Sequence, residues 1–123
     1  MHLKKELLKL GIEATLEKKS DTPIIYEAKI KIPASLKFFE GHFPSNPILP
    51  AFAAIEISLE IGRSLKLLPQ QIKKIPNAKF LNALKPETEI KILIRRYDTS
   101  IDFEWQHEEE SQWKKACDIS IEV

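Results

Sequence analysis

The chain has 123 residues, of which 43% are hydrophobic and 30% charged, with a formal net charge of +1. A chain of this length buries roughly two-thirds of its unfolded surface, so we expect one domain over residues 1–123. The near-zero net charge favours neither nucleic acid nor a membrane surface as a partner. The single cysteine excludes an internal disulfide and favours a cytoplasmic location.

Residues 1–10 predict either a helical turn or the lead-in to a strand, and they lack the apolar run and cleavage site of a secretory signal. Period-two alternation then predicts strands at residues 12–18 and 22–33, joined by a turn at residues 19–22. The residues that share the apolar face of the second strand are Tyr26, Ala28, Ile30 and Ile32.

A helix is predicted from Ala51 to about Leu67. Pro50 precedes it, and a proline is tolerated at a helix start because its missing N–H would have no acceptor there. Gly62 lowers the helical tendency of the last turn. Apolar residues cover most of the circumference, so we expect the helix to be wrapped by a sheet or buried against a second subunit.

The second half of the chain predicts four more strands, at residues 72–84, 89–97, 101–106 and 113–123. The order of two strands, one helix and four strands lacks the rhythm of parallel βαβ units. It indicates an α+β fold with an antiparallel sheet and a single helix. Phe103, Trp105 and Trp113 are expected in the core or an interface, and His107, next to three glutamates, is expected to be exposed.

His42 and Glu56 are the candidate catalytic pair. His42 lies in a loop that three prolines make stiff, and histidine is the usual general base near neutral pH. Glu56 lies among isoleucine and alanine in the predicted helix, where a carboxyl is expected to hold its proton. The helix start near Ala51 offers unpaired backbone N–H groups that suit a developing oxyanion.

Simpler interpretations stay open beside this one. His42 can be a loop histidine that hydrogen-bonds a carbonyl, and Glu56, Glu60 and Arg63 have the spacing of a solvated helix stripe. The three histidines and the cysteine lack the spacing of metal ligands, so no metal is expected. Ala51 and Glu56 lie about 140° apart around a helix, so a site that uses both groups is easier to build between two subunits.

The segment FFEGHFPSNPILP, followed by an apolar helix with an acid fourteen residues after its histidine, resembles the 3-hydroxyacyl-acyl carrier protein dehydratases of bacterial lipid synthesis. The matching motif residues are Gly41, His42, Phe43, Pro44, Pro47, Ile48 and Pro50, and the helical acid is Glu56. The resemblance implies a hotdog fold, a curved antiparallel sheet wrapped around one long central helix. Without an N-terminal helix, the chain is similar to the short dehydratases of polyene-type lipid synthesis.

The resemblance also implies roles for these residues. His42 would remove the C2 proton of a 3-hydroxyacyl thioester, and Glu56 of the partner subunit would protonate the departing hydroxyl. The Ala51 N–H would polarise the thioester carbonyl, and no metal or other cofactor is implied. The residues expected to bind substrate are Ala51, Phe38, Phe39, Phe43, Phe52 and Ile55.

The implied partners are an acyl carrier protein, whose phosphopantetheine arm holds the acyl chain, and a second copy of the chain in a homodimer or an oligomer of dimers. Two alternatives are a hotdog thioesterase and a non-catalytic acyl-binding or dimerisation subunit. The sequence departs from the family pattern at Ala51 and Ser45, where glycine is usual, and at Glu60, where glutamine is usual. A carboxylate at Glu60 would favour the protonated form of one member of its pair with Glu56.

Overall fold

The computed structural model describes residues 3–39, 47–69 and 71–123. This part of the chain forms seven strands and one α-helix. Their bounds are β1 (Leu3–Leu7), β2 (Glu13–Asp21), β3 (Ile24–Lys31), α1 (Ala51–Ser64), β4 (Lys74–Phe80), β5 (Glu89–Arg96), β6 (Ser100–Glu109) and β7 (Gln112–Glu122).

The strands form a single sheet in the order β1-β2-β3-β5-β6-β7-β4, and every neighbouring pair is antiparallel. Strand β4 follows α1 in sequence and pairs with β7 at the far edge of the sheet. The segment that contains α1 therefore connects β3 to the opposite edge of the sheet. One helix on a curved antiparallel sheet is the hotdog arrangement, and the predicted α+β class is confirmed.

Period-two alternation places one face of each central strand against the helix. In β5 and β6 the buried residues alternate with partly exposed ones, as the sequence predicts. These buried residues are Ile90, Ile92, Ile94, Ile101, Phe103 and Trp105. They form a continuous apolar floor under α1.

The helix α1 presents one face to this floor. Its buried residues are Ala53, Ala54, Ile57, Ser58, Ile61 and Gly62. The Trp105 Nε1–H donates a hydrogen bond of 2.8 Å to Ser58 Oγ, which joins the helix to the middle of the sheet. A Cβ at Gly62 would lie 2.5 Å from Leu68 Cδ1 and 3.1 Å from Phe103 Cζ, so glycine permits the close packing of the last turn.

The helix ends at Ser64, three residues before the predicted end. Lys66 adopts a positive φ of 60°, its N–H donates to the Arg63 carbonyl, and the Leu67 N–H donates to the Gly62 carbonyl. These two bonds form a Schellman motif, in which glycine is the usual left-handed residue. Lysine stands there instead, and for this reason the end of the helix is predicted too late.

Three features of the strands differ from the prediction. Strand β2 runs to Asp21, so the turn before β3 lies at Thr22 and Pro23 and not over residues 19–22. Residues 3–7 form an additional strand, β1, which pairs with β2 from Leu3↔Glu17 to Leu7↔Glu13. Strand β6 continues to Glu109, because Glu110 and Ser111 both have positive φ and make a two-residue hairpin turn.

His107 therefore lies inside strand β6 and not in a solvated turn. Its side chain is only 15% exposed, so the expectation of an exposed His107 is wrong. Of the three aromatic residues expected in the core or an interface, Phe103 and Trp105 are buried. Trp113 is 38% exposed, and the Lys91 ammonium lies 4.3 Å from the centre of its ring.

Within the described residues, no helix is both long enough and apolar enough to cross a membrane.

Candidate active site

The start of α1 is held in place on both sides of the proline-rich loop. Before the loop, a single-turn 3-10 helix, Lys37–Phe39, buries Phe39 in the core. After the loop, the Leu49 N–H donates a hydrogen bond of 2.7 Å to the Leu84 carbonyl. The predicted general base His42 and the predicted binding residue Phe43 lie outside the described residues, so their roles stay predictions.

Pro50 precedes the helix with an extended backbone (φ −66°, ψ 153°), and its carbonyl accepts from the N–H groups of Ala53 and Ala54. Helix geometry leaves the N–H groups of Ala51 and Phe52 without an acceptor inside the helix. Ala51 itself is exposed among the described residues. The start of α1 thus has the donors that the oxyanion role requires.

Glu56 lies on the face of α1 that points away from the sheet, and its side chain is exposed within its own chain. It lines a groove of about 710 Å³ between α1 and the N-terminal segment, residues 6–10. The groove is lined by Glu6, Leu7, Leu8, Lys9, Leu10, Glu56, Leu59, Glu60, Arg63 and Ser64. The expectation that its surroundings in the helix bury Glu56 is therefore wrong for the single chain, and burial would require a bound molecule or a second subunit.

The aromatic residues predicted to line the acyl slot separate into two groups. The rings of Phe38 and Phe52 meet edge to face, with centroids 6.0 Å apart and planes at 71°. Phe52 is 56% exposed, whereas Phe39 is 8% exposed and belongs to the core. Ile55 is half-buried beside Glu56. Phe38, Phe52 and Ile55 thus lie at or near the surface around the helix start, and Phe39 lies in the core.

Glu60 has a contact that the sequence could not reveal. Its Oε1 accepts a hydrogen bond from the Lys9 backbone N–H, 51 residues away along the chain. Its Oε2 is buried and has no hydrogen-bond partner among the described residues. The sequence analysis placed Glu60 in a helix stripe and noted it as a departure from the family pattern. It did not predict the contact with Lys9, because no sequence pattern indicates that residues 3–10 lie next to the helix.

Three cationic residues, Lys66, Arg95 and Arg96, differ in how many contacts they make within the chain and so in how available they are to an acidic partner. The Arg95 guanidinium contacts Glu104 at 3.2 Å on the outer face of the sheet. The Arg96 guanidinium donates to the carbonyls of Leu67, Tyr97 and Ser100. Lys66 is exposed just past the end of α1. Lys66 is therefore better available to an acidic partner than either of these arginines.

Two other kinds of chemistry find little support in the described residues. No group of three or more histidine, cysteine, aspartate or glutamate side chains there has the arrangement of a metal site. Cys117 is fully buried in the core, and this burial raises the pKa of its thiol to about 12. The thiol therefore stays protonated at neutral pH and is a poor nucleophile.

Comparison with known protein families gives a consistent result. A family model described as ApeI-like, for the ApeI dehydratase, matches residues 16–117. The 3-hydroxyacyl-acyl-carrier-protein dehydratase FabZ of Caldicellulosiruptor bescii is 34% identical over 56 residues, which cover 40% of this chain and 40% of that protein. FabZ of Legionella pneumophila strain Lens is 30% identical over 82 residues, covering 58% of this chain and 55% of that protein. The matched regions thus span about half the length of these relatives or less.

Among solved structures, the chain is similar to the dehydratase heterocomplex ApeI:P from Xenorhabdus doucetiae. The TM-score is 0.73 at 19% sequence identity, over 99% of this chain and 97% of that chain. At this identity the likeness supports the fold alone. It agrees with the strand order and the single helix described above.

Proposed function

Because the chain belongs to the ApeI-like dehydratase family, we propose that it removes water from 3-hydroxyacyl thioesters to give trans-2-enoyl thioesters. The observation that carries the proposal is the position of Glu56, a carboxyl exposed on the open face of α1 at a groove of about 710 Å³. Among the described residues, Glu56 is the acid that the family motif assigns to proton delivery.

In the proposed reaction the His42 imidazole takes the proton from C2 of the thioester. The Ala51 N–H donates to the thioester carbonyl and stabilises the negative charge that develops on its oxygen. Glu56 then gives its proton to the C3 hydroxyl, the C3–O bond breaks, and water leaves as the C2–C3 double bond forms. The two electrons of the C2–H bond become the π bond, so no oxidant, reductant or metal is needed.

We also propose that the site is shared between two subunits, with His42 from one chain and Glu56 from the other. The open face of α1 supports this proposal, since Phe52, Ile55 and Leu59 on it are left partly or largely exposed by their own chain. The similar structure from Xenorhabdus doucetiae is the dehydratase heterocomplex ApeI:P. Two assemblies therefore come into question for this chain, a homodimer and a complex with a different dehydratase chain. A homodimer is the simpler assembly and the one we propose.

The proposed substrate carrier is an acyl carrier protein, as the names of the FabZ relatives indicate for those proteins. The pathway that we propose is fatty acid or related lipid synthesis. Lys66, exposed beyond the end of α1, is one cation that an acidic carrier can contact.

The experiment that tests the reaction uses purified protein with a 3-hydroxyacyl thioester and, separately, its trans-2-enoyl product. Ultraviolet absorbance of the conjugated double bond should rise with the first substrate and fall with the second. His42→Ala and Glu56→Gln should each lower kcat roughly 10²-fold or more, because each removes a general acid or base. Release of free thiol would identify a thioesterase instead, and wild-type turnover in either variant would remove that residue from the site.

The shared site is tested by complementation. When His42→Ala and Glu56→Gln chains are co-expressed, half of the dimers contain one of each, and one of their two sites keeps both groups. The mixture should therefore recover about a quarter of the wild-type activity in a two-fold symmetric homodimer. Activity that stays at the level of the single variants would show that His42 and Glu56 act within one chain or with a different partner chain.

A further inference from the structure

The groove that contains Glu56 has two walls. Glu56, Leu59 and Glu60 from α1 form one wall, and the N-terminal segment, residues 6–10, forms the other. Strand β1 lies at the edge of the sheet and pairs only with β2. The width of the groove therefore depends on what holds the N-terminal segment near the helix.

The N-terminal segment is anchored to the sheet and the core by its own turn. Leu8 is 4% exposed, its N–H donates to the Ile12 carbonyl, and the Gly11 N–H donates to the Leu8 carbonyl. Gly11 has a φ of 84°, which glycine adopts at no steric cost. The two hydrogen bonds shape the turn, and the burial of Leu8 fixes the segment to the core that α1 shares.

A hydrogen bond from the Lys9 N–H to Glu60 Oε1 joins the segment directly to the outer face of α1. Glu60 lies one helical turn after Glu56, and side chains four residues apart on a helix are neighbours on its surface. The same carboxyl thus borders the proposed acid and holds the opposite wall. Its second oxygen, Oε2, is buried without a hydrogen-bond partner among the described residues, so the Lys9 N–H is the donor that this part of the chain provides to the carboxyl.

We propose that Glu60 is a positioning residue, which holds the N-terminal segment against α1 through the Lys9 N–H and so sets how tightly the acyl thioester is bound beside Glu56. This inference rests on the proposed function. The substrate part concerned is the acyl portion near the reacting carbons, which would lie against Leu7, Leu10 and Leu59. Because the bond acts on the wall and not on the reacting atoms, its loss should weaken substrate binding more than it slows the chemical step.

The test compares Glu60→Ala, which removes the acceptor, with Glu60→Gln, which keeps an acceptor oxygen of the same reach. In Glu60→Ala, we expect KM for a 3-hydroxyacyl thioester to rise roughly tenfold, the loss expected for a hydrogen bond to a charged group. The kcat should change less than threefold. Glu60→Gln should recover most of the KM loss. Lys5→Ala serves as a control, since it removes an exposed charge from β1 outside the groove.

Amide hydrogen exchange reads the contact without any turnover. The Lys9 N–H should exchange roughly tenfold faster in Glu60→Ala than in the wild-type chain. In Lys9→Ala the residue-9 N–H should stay slow, because that variant removes a side chain and keeps the donating N–H. These two measurements apply even if the chain proves to catalyse another reaction.

Each outcome decides the inference. An unchanged KM or an unchanged Lys9 exchange rate in Glu60→Ala would overturn it, as would a loss in Glu60→Gln equal to that in Glu60→Ala. A fall in kcat at constant KM would show that Glu60 takes part in the chemistry itself. If the wild-type chain does not dehydrate the substrate but exchange at Lys9 responds as expected, the contact is real and the proposed function has failed.

Discussion

The two faces of α1 do different work. The face toward the sheet is closed: Ile57 and Ile61 are 0% exposed, and the polar atom of Ser58 is bonded to Trp105. The opposite face is open, with Phe52 56% exposed and Glu56 exposed at a groove. One helix therefore serves as the centre of the core and as the support of the candidate site, and the difference shows which residues the fold requires and which are available for function.

The strongest test of this contrast is a matched pair of alanine substitutions two residues apart. Ile57→Ala should lower the free energy of unfolding by about 2–5 kcal/mol, because it leaves a cavity between α1 and the sheet. Leu59→Ala, on the half-buried open face, should cost about 1 kcal/mol or less within one chain. Urea unfolding of both variants at low protein concentration measures the two values.

The same pair also tests the proposed second subunit. If a second chain covers the open face, the cost of Leu59→Ala should grow with protein concentration, because association stabilises the wild-type dimer by mass action. Equal costs for the two substitutions at every concentration would contradict the division of α1 into a closed and an open face.

The sequence predicts the closed face of α1 better than the open face. The closed face and the strands beneath it obey simple periodicities, so α1 and the alternation of β3, β5 and β6 were predicted correctly. The end of α1 was not, because Lys66 occupies the left-handed position that glycine usually marks. The hairpin turn at Glu110 and Ser111 also lacks the glycine or asparagine that usually indicates such a turn. For this reason β6 is predicted too short.

The candidate site was only partly predictable, because it depends on contacts between distant segments. The family motif identified Glu56 and the predicted helix start identified Ala51, and both lie on α1 as expected. The bond between Lys9 and Glu60 joins an edge strand to the helix, and no local pattern encodes it. The sequence also gave Phe38 and Phe39 the same expected role, although Phe38 is partly buried and Phe39 belongs to the core.

A smaller effect is expected from the single polar contact on the closed face. Ser58→Ala should lower the free energy of unfolding by about 1–3 kcal/mol, because it leaves the buried Trp105 N–H without its acceptor. The double variant Ser58→Ala with Trp105→Phe removes both polar groups. A double-mutant cycle by thermal or urea unfolding should therefore give a coupling energy of about 1 kcal/mol or more.

This cycle sharpens the contrast because Ser58 and Glu56 lie two residues apart on opposite faces. Ser58→Ala should leave the dehydratase rate of the folded protein within a few-fold of wild type, unlike Glu56→Gln. An additive cycle, with no coupling between Ser58 and Trp105, would mean that this bond does not hold the helix to the sheet.

The smallest effect concerns a carboxylate that has a structural task on the outer face of the sheet. Burial opposes ionisation of Glu104, but hydrogen bonds from Gln106 and Arg95 and the charges of Arg95 and Lys115 outweigh it and lower the pKa of Glu104. A carboxyl whose pKa is lower in the folded state stabilises the fold above its unfolded pKa, about 4.3, and this stability is lost as the pH falls through the folded value.

Glu104→Gln should therefore cost about 1 kcal/mol or less at neutral pH, because solvent screens this outer-face cluster, and flatten the decline of stability below about pH 4.5, since the amide cannot titrate. Urea unfolding between pH 3 and pH 7, on the wild-type chain and the variant, measures both effects. The dehydratase rate near neutral pH is the control, because Glu104 points away from the groove that holds Glu56. An equal decline in both proteins would assign the acid sensitivity to other carboxylates, and a large loss of rate would mean that the outer face of the sheet is coupled to the site.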